Sequence, residues 1–189
     1  MSCSSRCAGP ERRRLLALAA AWPVAPFAWA QTAAPSELAA DLPGARLQGQ
    51  GTLRFLGLRV YDALLWTREP LAATQVERAM LALELRYARS LRGPLIAERS
   101  IEEMRRVGEF DDEQAQRWLS AMKRLFPDVN AGDRITGVHQ PGERARFHFN
   151  GRLVGDVRDA TFARLFFGIW LSPRTSEPQL RAALLGAAS

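Results

Sequence analysis

Ala115, Trp118, Leu119, Met122, Leu125 and Phe126 fall on one continuous stripe at helical spacing, and that stripe restricts the possible folds more than any other feature. A helix marked in this way must lie on an apolar surface, and segments of a different period supply one. In residues 81–87, Leu81, Leu83, Leu85 and Tyr87 share one face, while Glu84 and Arg86 take the other. Residues 45–55 and 58–67 also read as extended, with a bend at Gly57. "DRITGVHQ" meets "RARFHFN" across Pro141-Gly142, and Asn150-Gly151 is a strong two-residue hairpin signal leading into "RLVGDV".

Helices are predicted between these strands. One opens at Gly93-Pro94 and runs to about Arg106, with Glu102 and Arg106 as an i,i+4 pair. Asp111 caps the striped helix, whose last turn holds Lys123 and Arg124. Asp159 caps a third, in which Phe162, Leu165, Phe166, Ile169 and Trp170 recur at helical spacing. Ser176 opens the last, with Gln179 placed for a capping box and Gly186 beyond its end. Strands, two helices, strands and two helices predict an α+β domain: an antiparallel sheet with helices packed on one face.

The ends bear on localisation. Arg12, Arg13 and Arg14 precede the short apolar run "LLALAAAWPVAPF", and Ala28 and Ala30 bracket a site for signal peptidase. Residues 1–30 read as a signal peptide, 31–43 as a flexible leader rich in Ala, Pro and Ser, and 44–187 as the domain. Export to the periplasm is expected, by the twin-arginine or the general secretory route. Residues 1–30 carry +3 of the net charge of +6, so the basic balance is no sign of nucleic-acid binding. Cys3 and Cys7 leave with that segment, and the core alone must hold the fold. No later stretch reaches the length of a membrane span.

Several chemistries lack a signature. Only His139 and His148 remain as imidazoles, neither at a metal-ligand spacing, so no metal and no cofactor is expected. His148 alternates with Phe147 and Phe149 on the outer face of its strand. There is no nucleophile elbow and no phosphate-binding glycine loop. Phe162, Phe166 and Trp170 read first as core, although a helix laid on a sheet can leave an apolar gap between the layers. In "GQGTLRFLGLRVYDALLW" (residues 49–66), Arg54 and Tyr61 stand out among apolar neighbours. Either Arg54 faces solvent and Tyr61 packs at a rim, or both point into a cleft. An arginine there is tolerable if a carboxylate ligand accepts its planar fork.

That stretch, with "ALELRYARSLRG", "RSIEEMRRVG", "FPDVNAGDRITG" and "FFGIWLSPRTSEPQLRAALLG", resembles the bacterial exported proteins of the chalcone isomerase-like family from about Leu42 to Gly186. The resemblance implies an open-faced β-sandwich with a cleft between a large antiparallel sheet and its helices. Plant enzymes of the superfamily cyclise chalcones, while plastid relatives of similar fold bind fatty acids without catalysis. Both place an arginine where this chain has Arg54. The binders resemble it in having tyrosine where Tyr61 stands, and the enzymes have threonine there. Ile96 stands in the place of an enzyme tyrosine, and Glu103 in that of an asparagine.

The expectation is thus a non-catalytic binder of a fatty acid or similar apolar carboxylate, with Arg54 and Tyr61 as ligand-binding residues and no catalytic residue assigned. An isomerase (intramolecular lyase) acting on a chalcone-like or other enone substrate, and a ligand-free envelope interaction protein, stay open as alternatives.

Overall fold

The computed structural model describes Met1 and residues 32–186; residues 2–30 of the expected signal peptide lie outside the described residues. The chain runs through helix α1 (Leu38–Asp41), strands β1 (Arg46–Phe55), β2 (Leu58–Thr67) and β3 (Leu81–Tyr87), and helices α2 (Gly93–Val107) and α3 (Asp112–Leu125). Strands β4 (Arg134–Gln140), β5 (Arg144–Phe149) and β6 (Arg152–Val157) follow, then helices α4 (Ala160–Leu171) and α5 (Pro178–Leu184). All six strands form one antiparallel sheet in sequence order.

The alternation that marks the strands also sorts their side chains between two cores. Leu65, Leu83, Leu85, Ile135 and Phe147 face helices α2 to α5, where Trp118, Met122, Phe162 and Phe166 close over them. The predicted stripe of α3 is that contact, and its N-terminus is held by a capping box: Gln114 N donates to Asp111 Oδ1, and Asp111 N donates to Gln114 Oε1. The Asp159 side chain accepts from the amides of Thr161 and Phe162 and from Trp118 Nε1, so one carboxylate caps α4 and ties it to α3. The expected box of α5 does not form. Pro178 begins that helix, and the Glu177 amide bonds Thr175 Oγ1 instead.

Helix α5 lies directly on β1 because Gly49 has no side chain. A Cβ there would sit 2.3 Å from the Ala183 carbonyl oxygen, far inside contact distance. Gln48 Nε2 adds a 3.1 Å bond to the Leu185 carbonyl.

The other face departs from the sequence reading. Part of the expected flexible leader is ordered: Leu38 and Leu42 are fully buried against Leu64, Trp66, Ala82 and Val138. A residue pair four apart is all that marks α1, too little for a periodic signal. Beneath α1 lies a charged network. Glu37 accepts from Arg134 Nη2 at 2.8 Å and from Thr136 Oγ1 at 3.0 Å. Glu84, fully buried, accepts from Trp66 Nε1 and Arg86 Nε. Asp41 pairs with Arg146 and lies 3.6 Å from His148 Nε2. His148 is on the outer face as expected, but α1 buries it.

This arrangement sets a pH dependence. Burial holds the His148 imidazole below its ordinary value. The unfolded chain therefore takes up a proton near pH 6.5 that the folded chain resists, and stability falls as pH drops through that value. Burial pushes the Glu37 carboxyl up, but the hydrogen bonds from Arg134 and Thr136 outweigh it and the net shift is downward. Its contribution is present above pH 4.5 and is lost on further acidification. Both groups act in the same sense. Acidification from pH 7.5 to 5.5 is expected to lower the hydrogen-exchange protection factor of the Leu42 amide, which closes α1 on Leu38 O, before those of the sheet amides fall. A Leu42 protection factor that stays constant across this range would show that the network does not hold α1.

Candidate functional site

A cavity of about 410 Å³ opens between the β1–β3 side of the sheet and helices α2 and α4. Its size is that of a small-molecule site. Its lining is mainly apolar, with Leu85, Phe126, Ile135, Phe166 and Ile169 among its walls, and a smaller set of polar groups also borders it. Phe166 and Trp170, with ring centroids 5.5 Å apart, belong to the core and to the cavity wall together.

The two residues singled out in the first hairpin both border this cavity, but not as a pair. Leu53 stands opposite Tyr61 and Arg54 opposite Arg59, with an irregularity that leaves Val60 unpaired. Opposed residues share a face of a sheet, so Tyr61 turns toward the helices with Leu53, and Arg54 starts from the other side. Tyr61 lies in the cavity wall. Its hydroxyl accepts from Trp170 Nε1 at 2.9 Å and keeps its own proton to donate. Burial raises the Tyr61 phenol well above its ordinary value, so it remains a donor throughout the physiological range. Tyr87 packs edge-on against it at 5.8 Å and is likewise raised by burial. Arg54 is exposed at the rim, where Nη1 makes a long 3.5 Å bond to the Gly57 carbonyl.

Helix α2 contributes polar groups that periodicity alone leaves unassigned. Ile96, Arg99, Ser100 and Glu103 recur at intervals of three and four and all line the cavity. The expected Glu102–Arg106 pair does not form. Glu102 bonds Arg99, and Arg106 Nε approaches Glu103 at 3.6 Å. Glu103 is buried. Arg99 Nη2 lies 2.5 Å from its Oε1, yet off the angle of a hydrogen bond, so this oxygen retains unused acceptor capacity. Ser100 is occupied with the Ile96 carbonyl at 2.8 Å. Arg54, Arg89, Arg99, Ser176 and Glu177, all cavity-lining, are solvent-exposed, and three of these five are cationic. The positions matched by resemblance, Ile96 and Glu103, do face the cavity.

Neither histidine lines it. His139 Nδ1 lies 3.1 Å from the Ala79 carbonyl and its ring packs on Phe167, while His148 lies across the sheet. Among the described residues no three His, Cys, Asp or Glu side chains cluster as metal ligands, and no helix is long and apolar enough to cross a membrane.

A family model described as chalcone isomerase-like matches residues 31–186. The chain belongs to the chalcone isomerase-like family. An uncharacterised protein of Haemophilus influenzae is 31% identical over 106 residues, which cover 56% of this chain and 52% of the relative. The chain thus spans about half the length of that relative. The fold is similar to the crystal structure of a fatty-acid binding protein of Arabidopsis thaliana, with a TM-score of 0.57 and 17% identity over 75% of this chain and 87% of the other. Membership and neighbour agree with the expected architecture, an open antiparallel sheet carrying helices over one face.

Proposed function

We propose that this chalcone isomerase-like protein is a non-catalytic binder of a fatty acid or a similar apolar carboxylate. The observation that carries the reading is the cavity itself: an apolar interior of about 410 Å³ whose cationic residues stand at its exposed edge. An acyl chain would lie against Phe126, Ile135 and Phe166 with its carboxylate toward Arg54, Arg89 and Arg99. Burial of the chain drives binding, and the arginines fix its direction. Tyr61 supplies an O–H donor within the wall. The fatty-acid binding protein of similar fold supports this choice of ligand. We also propose that residues 1–30 direct export and that the protein works in the periplasm; N-terminal sequencing of the form accumulated by cells should return Gln31.

One observation favours a second reading. Buried Glu103 Oε1 accepts no hydrogen bond, although the Arg99 guanidinium lies beside it, and it lines the same cavity as the Tyr61 donor, a pair of polar groups suited to holding an enone for isomerisation. Two measurements separate the readings. Native mass spectrometry of the protein purified from its own cells is expected to show a retained species of fatty-acid mass. Chalcone added to the same sample is expected to cyclise no faster than in buffer. Cyclisation far above that rate, lost in Glu103→Gln, would establish the enzyme instead.

A further inference from the structure

The tip of the β1–β2 hairpin is built against both solubility and backbone preference. Phe55, Leu56 and Leu58 are 64%, 87% and 58% exposed, three large apolar side chains within four residues. Leu56 and Gly57 form the two-residue turn, with φ of 49° and 79°. Two positive φ values in such a loop call for Asn or Asp before Gly, and a leucine there is strained by its Cβ. The chain itself supplies the comparison. Its β5–β6 hairpin turns through Asn150 and Gly151 at φ of 49° and 85°, with the favoured pair in the same geometry. The fold therefore gains nothing from Leu56 that asparagine would not provide better.

Cations surround this apolar tip. Arg54 and Arg59 flank it on the two strands, and Arg89 and Arg99 stand with Arg54 and Phe55 along the cavity. Arg59 is paired with Asp62 and Arg99 with glutamates of α2, whereas neither Arg54 nor Arg89 makes an ion pair among the described residues. Exposed apolar side chains flanked by Arg54 and Arg59, beside a cavity edge that carries Arg89 and Arg99, match an anionic bilayer surface: the former enter the acyl boundary and the latter meet the headgroups. A protein partner would have to supply both an apolar socket and an acidic rim; the bilayer supplies both at once.

We propose that the β1–β2 tip is a membrane-docking finger that inserts Leu56 and Leu58, with Phe55, into an anionic lipid surface and presents the cavity to it. Arg54 and Phe55 belong to both the tip and the cavity wall, so docking lets an acyl chain pass between bilayer and cavity with little exposure to water. This goes beyond the binding reading and stands or falls separately from it.

Flotation with vesicles tests it, using protein purified in the form cells accumulate. The wild type is expected to float with vesicles of phosphatidylethanolamine and phosphatidylglycerol, less with phosphatidylcholine alone, and less again as salt rises. The double variant Leu56→Asn, Leu58→Thr should bind on the order of a hundred-fold more weakly, about ten-fold for each leucine. Its melting temperature should be unchanged or higher, because asparagine relieves the turn. Neither leucine lines the cavity, so binding of a soluble fluorescent fatty acid should be unchanged. Equal flotation of variant and wild type, or no flotation of either, would overturn the proposal. So would a dimer in analytical ultracentrifugation that the variant dissolves, since the tip would then belong to a second copy. Vesicle binding by protein that retains no fatty acid would remove the cavity reading and leave this one.

Discussion

Phe166→Ala is expected to destabilise the fold by about 3–5 kcal/mol, the range for an aromatic removed from a core. The ring lies 5.4 Å from Phe162, 5.1 Å from Phe147 and 5.5 Å from Trp170, and it belongs to both the core and the cavity wall. Its removal forfeits burial and aromatic contacts on three sides and leaves a void in the wall. At about 2–4 °C per kcal/mol for a domain of this size, the melting temperature should fall by roughly 10 °C. The vacated volume then joins the cavity. A ligand filling the joined cavity should restore stability by mass action, about 2.7 kcal/mol at a hundred times its dissociation constant. Added oleate is therefore expected to raise the melting temperature of the variant. Phe166→Leu, which keeps most of the volume, should lose much less. A loss below about 1 kcal/mol in Phe166→Ala would mean that the aromatic stripe of α4 is not core.

Much of this architecture is legible in the residues because two periods are written clearly. The alternation in residues 81–87 and the stripe of α3 each allow one placement, and β2 covers the extended span read at residues 58–67. What the residues do not disclose is whether a polar face is covered. Glu84 and Arg86 sit on the face opposite Leu83 and Leu85, as alternation requires, but nothing local says that α1 will bury Glu84 and His148. Residues 35–42 contain only Leu38 and Leu42 as an apolar pair, and proline and alanine around them read as leader. Arg54 shows a different limit. Its relation to Tyr61 turns on an extra residue, Val60, whose mispairing is a property of two strands and of neither alone. On α2, Glu103 could have been found from its spacing to Ile96, Arg99 and Ser100, but a charged helix face reads as solvated until a sheet is known to lie beneath it.

Tyr61→Phe and Arg54→Ala are expected to separate, one acting on the fold and the other on the ligand. The Tyr61 hydroxyl is the acceptor for Trp170 Nε1, and Trp170 is buried. Deleting it leaves that N–H without its partner, which costs about 1–3 kcal/mol. In urea the midpoint should drop with an unchanged slope, the sign of lost stability without a change in compactness. Trp170→Phe should remove the penalty in the double variant, since neither half of the bond then remains. Arg54→Ala should leave stability within about 0.5 kcal/mol, because the exposed guanidinium makes a single long bond to the turn. Its effect on fatty-acid affinity should also be modest, about 0.5–1 kcal/mol, because in the proposed binding mode the exposed Arg54 shares the carboxylate with Arg89 and Arg99. Displacement of a fluorescent fatty acid reads this directly. If Arg54→Ala instead abolished binding while Tyr61→Phe left both readouts unchanged, the carboxylate would have to lie buried against Arg54, and the acyl chain could not run inward from a mouth ringed by arginines.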